Sequence, residues 1–211
     1  MTLRILLLTL LCSGLFSATA AERKELPKDT PFSDENTGIV FPPELGKFEK
    51  TEIRINSNPV VGTQIRYDGI QAGCSAGIYI YALDEKPGVI PTEEFLQHYL
   101  KARQTVLDLE TLSEHVKESE LSGQKEFADK TNPARWDTFS LRSDGEETFQ
   151  SDLVMILCGD RIVKLRITVP DSQKEAKVDC NEFIRKFCRL FYRDQPVNFR
   201  ELKTEKPQGK R

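Results

Sequence analysis

Apolar and polar residues alternate along Glu49 to Ile55, Val60 to Tyr67 and Ser75 to Leu83, and the turn-forming pairs Asn58-Pro59 and Asp68-Gly69 separate the runs. Successive strand side chains point to opposite faces, so each run predicts a strand with one buried face, and the three together predict an antiparallel set. The period then changes. After Pro91, the residues Phe95, Tyr99, Ala102, Val106 and Leu109 recur at three- and four-residue steps, which predicts a helix opened by an N-cap at Thr92 and running to about Asp108. A polar stretch containing Gly123 follows, and strands are expected again at Ala134 to Leu141, Thr148 to Cys158 and Arg161 to Val169. Gly159-Asp160 suits a tight hairpin between the last two. With Cys158 opposite Arg161, Val154, Ile156, Val163 and Leu165 share one face, while Leu153, Met155, Leu157 and Ile162 share the other. Two apolar faces imply a central pair covered on both sides. Ala176, Cys180, Phe183, Ile184, Phe187, Cys188 and Phe191 mark the stripe of a second helix, with Arg185, Lys186 and Arg189 on its wetter side. The fold class expected is α+β, a largely antiparallel sheet of six to seven strands with two main helices.

The two ends read differently. Arg4, the apolar run Ile5 to Leu11 with Leu15 and Phe16 beyond it, and Ala18-Thr19-Ala20 have the order of a cleaved secretory signal, with cleavage between Ala20 and Ala21. Cys12 follows the bulky Leu11 inside the apolar core, which favours ordinary cleavage over lipid attachment. Residues 21–38 mix Lys, Glu, Asp, Pro and Ser and predict a flexible tether; 39–200 hold the single domain, and 201–211 a disordered tail. Removing residues 1–20 takes one of the 30 basic residues and leaves 29 against 33 acidic, a charge of −4 on 191 residues. That balance speaks against a general nucleic-acid binder. No later run is long enough to span a membrane, so an exported, periplasmic or secreted product without an integral membrane segment is expected.

The element order and the export signal together resemble the α/β/α sandwich of PsbP-like and DcrB-like proteins over roughly residues 39–195. The resemblance implies a sheet between helices and an accessory role outside the cytoplasm. It carries over no functional residue.

Candidate chemistry is sparse. Gly73-Cys74-Ser75-Ala76-Gly77 matches the G-x-S-x-G pattern of serine hydrolases, which needs a strand, a sharp turn and then a helix. Ile78-Tyr79-Ile80-Tyr81 instead continues as a strand, so Ser75 reads as a structural residue. The only histidines, His98 and His115, are seventeen residues apart, and no His or Cys pair has local metal-ligand spacing. Glu93-Glu94 fits a helix N-terminus and Glu146-Glu147 a turn. Tyr79 and Tyr81 share a strand face and Trp136 is the single tryptophan, residues that more often cover a sheet than line a ligand pocket. No catalytic residue, cofactor or metal is therefore assigned.

Cys74, Cys158, Cys180 and Cys188 remain after signal removal, and export to an oxidising compartment permits bonds between them. Cys180 and Cys188 lie about 12 Å apart along one helix, beyond disulfide reach. If the last helix returns antiparallel along the strand Arg161 to Val169, Cys188 approaches the Cys158 hairpin, which predicts Cys158 with Cys188 and leaves Cys74 with Cys180. The expected function is a non-enzymatic exported domain that binds a protein partner or supports an envelope assembly. An extracytoplasmic small-ligand carrier is the alternative, and a hydrolase using Ser75 the third reading.

Overall fold

A computed structural model describes residues 29–70, 74–127, 132–192 and 199–202. The signal segment, the cleavage site at Ala20 and Ala21, and the tail from 203 onward lie outside these residues. Nine strands form one antiparallel sheet in the order β11-β7-β8-β9-β10-β6-β5-β4-β3, and β1 and β2 form a small second sheet. In chain order the strands are β1 (Phe32–Ser33), β2 (Val40–Phe41), β3 (Glu44–Leu45), β4 (Phe48–Ile55), β5 (Thr63–Gly69), β6 (Ser75–Tyr81), β7 (Val116–Phe127), β8 (Ala134–Ser143), β9 (Thr148–Cys158), β10 (Arg161–Pro170) and β11 (Phe199–Glu201). The helices are α1 (Thr92–Leu107), α2 (Leu109–Leu112) and α3 (Lys174–Arg189). The class is α+β, with α3 on one face of the sheet and α1 and α2 on the other. Among the described residues no helix is long and apolar enough to cross a membrane.

The central hairpin has the expected register, Cys158 opposite Arg161. Val154, Ile156, Val163 and Leu165 enter the core beneath α3, and Leu153, Met155, Leu157 and Ile162 enter the core beneath α1 and α2. On the α3 face, Phe183 meets Phe48 at 4.6 Å and Tyr67 at 5.4 Å between ring centroids, and the Tyr67 hydroxyl donates to the Pro42 carbonyl. The expected inward stripe of α3 is buried from Ala176 to Cys188, and Phe191 packs partly buried at its end.

The sheet is larger than the six to seven strands expected because the short β3 and β11 extend its edges and β7 lies in the polar stretch around Gly123. Register shifts between Val116 and Glu118 and between Leu121 and Gly123 break the simple alternation that marks a strand in sequence. The second strand begins at Thr63 rather than Val60, because Asn58 turns the chain: its side-chain oxygen accepts from Val60 N, and its carbonyl accepts from Val61 N and Gly62 N. Gly62 has φ +64°, and a Cβ there would fall 1.9 Å from the Ile80 carbonyl oxygen. The N-cap of α1 is Pro91, without a side-chain cap bond, and Thr92 is already helical. Residues 29–38, the described part of the expected tether, are tied to the domain. Phe32 pairs with Phe41 and is buried, Asp34 accepts from Thr37 N and Oγ1, Lys50 donates to the Thr30 carbonyl, and Arg161 donates to Asn36. One aromatic anchor and these side-chain bonds order a stretch whose composition alone predicts a solvated coil.

Candidate functional site

Cross-strand partners share a face, so the register lays out the side chains opposite α3 row by row. One row runs Met155, Lys164, Tyr79, Gln64, Arg54, and the next Leu153, Arg166, Gly77, Arg66, Glu52. The β9 ends are apolar and lie beneath α1, which packs against β7 and β9. From β10 outward the rows become polar and part-exposed, the exception being Arg166, which is buried. This half of the face is the candidate site.

Gly77 shapes its centre. The Tyr79 ring folds back over it, so that a Cβ at residue 77 would meet the tyrosine hydroxyl at 3.1 Å and the ring at 3.2 Å. The Lys164 ammonium lies 4.7 Å from the Tyr79 centroid and 5.8 Å from that of Tyr81, within cation–π range. Arg166 flanks the glycine on β10, where its Nη2 donates to Ser151 Oγ at 2.8 Å, and Ser151 shares a second 2.8 Å bond with Thr168 Oγ1. On β5, Arg66 flanks the other side and is held by Asp68 at 2.8 Å. The part-exposed cation at this centre is the lysine over the tyrosine ring, since Arg66 is paired with Asp68 and Arg166 is buried against Ser151 and Phe139.

Helix α1 borders the strip through two polar contacts. His98 Nε2 lies 2.8 Å from the Tyr81 hydroxyl. Burial and the nearby Lys164 and Lys101 charges hold the His98 pKa below its ordinary value, which favours the neutral ring, while burial raises the Tyr81 phenol. From the next residue and the turn after it, the Tyr99 hydroxyl and Arg103 Nε donate to opposite oxygens of the fully buried Asp137 on β8, at 2.7 and 2.8 Å. Arg103 also donates to the Tyr99 hydroxyl. Burial and the Asp137 charge push the Tyr99 phenol upward.

The residues singled out in the sequence fall apart in space. Ser75 opens β6, with strand and no helix after it, and lies about 20 Å along that strand from Tyr81 and its imidazole partner. His115 lies just ahead of β7, 3.8 Å from Glu114. Trp136 is on the other face of the sheet, where its Nε1 donates to the buried Asp152 at 2.8 Å and its ring meets Phe199. All four described cysteines are free thiols. The Cys180 thiol lowers the Cys74 pKa, and Cys74 together with burial raises that of Cys180. Cys158 closes β9, where burial and then Asp34 and Asp160 raise its pKa; Cys188 is wholly buried, and burial alone raises it. Among the described residues no three His, Cys, Asp or Glu side chains gather as a metal would need.

Lys164, Arg166 and Asp137 form the polar framework that sequence reasoning passed over. A signal was present: Lys164, Arg166 and Thr168 alternate through the otherwise apolar β10, so the hairpin register alone places them on one face. Compared with models of known families and with curated proteins, the chain matches none.

Proposed function

We propose that this protein is an exported, non-enzymatic accessory domain that holds an acidic protein partner against the open half of its sheet, in support of an envelope assembly. The observation that carries the reading is the Tyr79 hydroxyl laid over Gly77, with the part-exposed Lys164 above the ring and Arg66, paired with Asp68, on the flanking strand. Carboxylates on a partner would meet charge-assisted donors on a preformed, strand-mounted surface, which limits the side-chain ordering that binding costs. The polar composition suits a surface that is wet when unoccupied, and its cations would steer an acidic partner. The separation of Ser75 from His98 supports a binding role over hydrolysis.

The test is copurification of tagged protein from its own envelope fraction, with wild type beside Lys164→Glu and Arg66→Glu. The expected result is one recurrent protein partner, lost about tenfold or more in either variant and weakened by salt in wild type. Equal recovery by the charge-reversed proteins would overturn this use of the face, and a small molecule retained in place of a protein would transfer the site to the carrier alternative. Intact mass decides export separately: a chain beginning at Ala21 is expected, and retained Met1 or a lipid on Cys12 would refute it.

A further inference from the structure

We infer that the protein pairs with a second copy of itself through the outer edge of β4, the two β4 strands meeting antiparallel about a two-fold axis at Ile53. The inference concerns the rim of the sheet and stands independently of the acidic partner proposed above. β3 covers only the start of this edge: Leu45 pairs with Phe48, Glu44 with Glu49, and Lys50 N donates to the Pro43 carbonyl at 2.8 Å. One residue earlier the Pro42 carbonyl accepts from the Tyr67 hydroxyl in the α3 core, so the chain leaves the edge for that face. Among the described residues no strand pairs with the outer side of Thr51 to Ile55, where β4 ends. Within this window the backbone direction is set. Asn56 N donates to the Gly62 carbonyl at 3.0 Å in the β4–β5 register, so by antiparallel alternation Glu52 and Arg54 direct their backbone groups at β5, and Ile53 and Ile55 direct theirs outward. The 2.9 Å bond from Gly69 N to the Cys74 carbonyl gives β5 the same parity from its other side.

Charge selects the register. Glu52 and Arg54 stand on the open face of the strand, joined by an ion pair at 2.8 Å, while Ile53 enters the α3 core. Two antiparallel β4 strands centred on Glu52 or on Arg54 would set like charges directly opposite each other, which destabilises a strand pair. Centred on Ile53, Glu52 of each copy lies opposite Arg54 of the other, and the two intrachain ion pairs become a ring of alternating charges. These are non-hydrogen-bonded positions, where opposed side chains approach most closely. Ile53 meets Ile53 of the second copy as a hydrogen-bonded pair, with Thr51 opposite Ile55 on each side, so each strand fills the other's window between β3 and the turn at Asn58. The edge is thus self-complementary, as an isologous two-fold interface requires. Because the axis stands normal to the sheet, both α3 helices stay on one side and the two open polar halves join across β4 on the other.

A strand pair this short places the association at the weak end of specific interfaces, to be read by sedimentation equilibrium of purified protein over about 10 µM to 1 mM. A monomer–dimer equilibrium is expected, weakened by salt. Glu52→Arg and Arg54→Glu each set like charges across the axis and should weaken dimerisation about tenfold or more. Both side chains reach solvent, at 22% and 52% exposure, so the variants should keep the wild-type circular dichroism. An equimolar mixture of the two variants should restore association, because an edge carrying arginine at both positions then meets one carrying glutamate at both. A monomer throughout the concentration range, a dimer that neither variant weakens, or variants that stay apart on mixing would overturn the inference.

Discussion

Two helices of sixteen residues lie on opposite faces of the same sheet and do different work. Helix α3 buries Ala176, Asp179, Cys180, Phe183, Ile184, Phe187 and Cys188, whereas α1 buries Phe95, Tyr99 and Val106. The first closes its face mainly with aromatic and aliphatic contacts that have no direction, to which the Lys47–Asp179 ion pair is added. The second covers β7 to β9 and is positioned partly by directed bonds, Tyr99 and Arg103 to Asp137 and His98 to Tyr81. A helix that supplies less apolar area leaves sheet uncovered, and strand residues beyond its reach must then be compatible with water. The open polar half is thus the counterpart of α1's modest apolar stripe.

The comparison breaks first at Phe183. Its ring is buried between Phe48 and Tyr67, so Phe183→Ala should cost about 4 kcal/mol in urea unfolding. A loss below about 1 kcal/mol would show that α3 does not seal its face. On the other side Asp137→Ala should cost about 3 kcal/mol, because Arg103 would keep its charge without the buried carboxylate. Adding Arg103→Met should recover much of that loss; strict additivity would contradict the picture of a directed network.

Smaller effects sharpen the contrast at the open strip. Gly77→Val should displace the Tyr79 ring at about 1 kcal/mol, since the face is part-exposed and the ring can swing outward. Tyr79 fluorescence and partner recovery should both change, and an unaltered tyrosine environment would argue against the stacked geometry. The smallest effect concerns pH. The folded His98 pKa lies below the unfolded value of about 6.5, so below that pH the unfolded chain binds more protons at this site than the native one. Stability should therefore be lost as pH falls from about 6.5 toward the folded pKa, and should be indifferent to this group above that window. Melting temperatures of wild type and His98→Gln should differ by a constant amount at and above neutral pH, with the wild type falling more steeply on acidification.

Much of the architecture was legible because it is periodic. The β9–β10 hairpin, its register and both of its faces follow from alternation and one Gly-Asp turn, and the α3 stripe follows from helical spacing. β7 was hidden because its bulges shift the alternation within a polar run. Phe32 was hidden because a single aromatic in a charged segment has no period at all. At the candidate site, Tyr79 and Tyr81 were visible as one strand face, but their neighbours were not, since Lys164 and Arg166 come from a strand about 85 residues later and join them through the β10–β6 pairing.

Local sequence therefore determined the elements, the α+β class and the apolar faces, because side-chain direction within a strand or helix is set by backbone geometry a few residues long. Tertiary structure decided which strands became neighbours, and with them the Arg166-Gly77-Arg66 row and the Tyr81–His98 contact. These contacts depend on sheet order and helix placement, which arise from the packing of the whole core and have no local period to betray them.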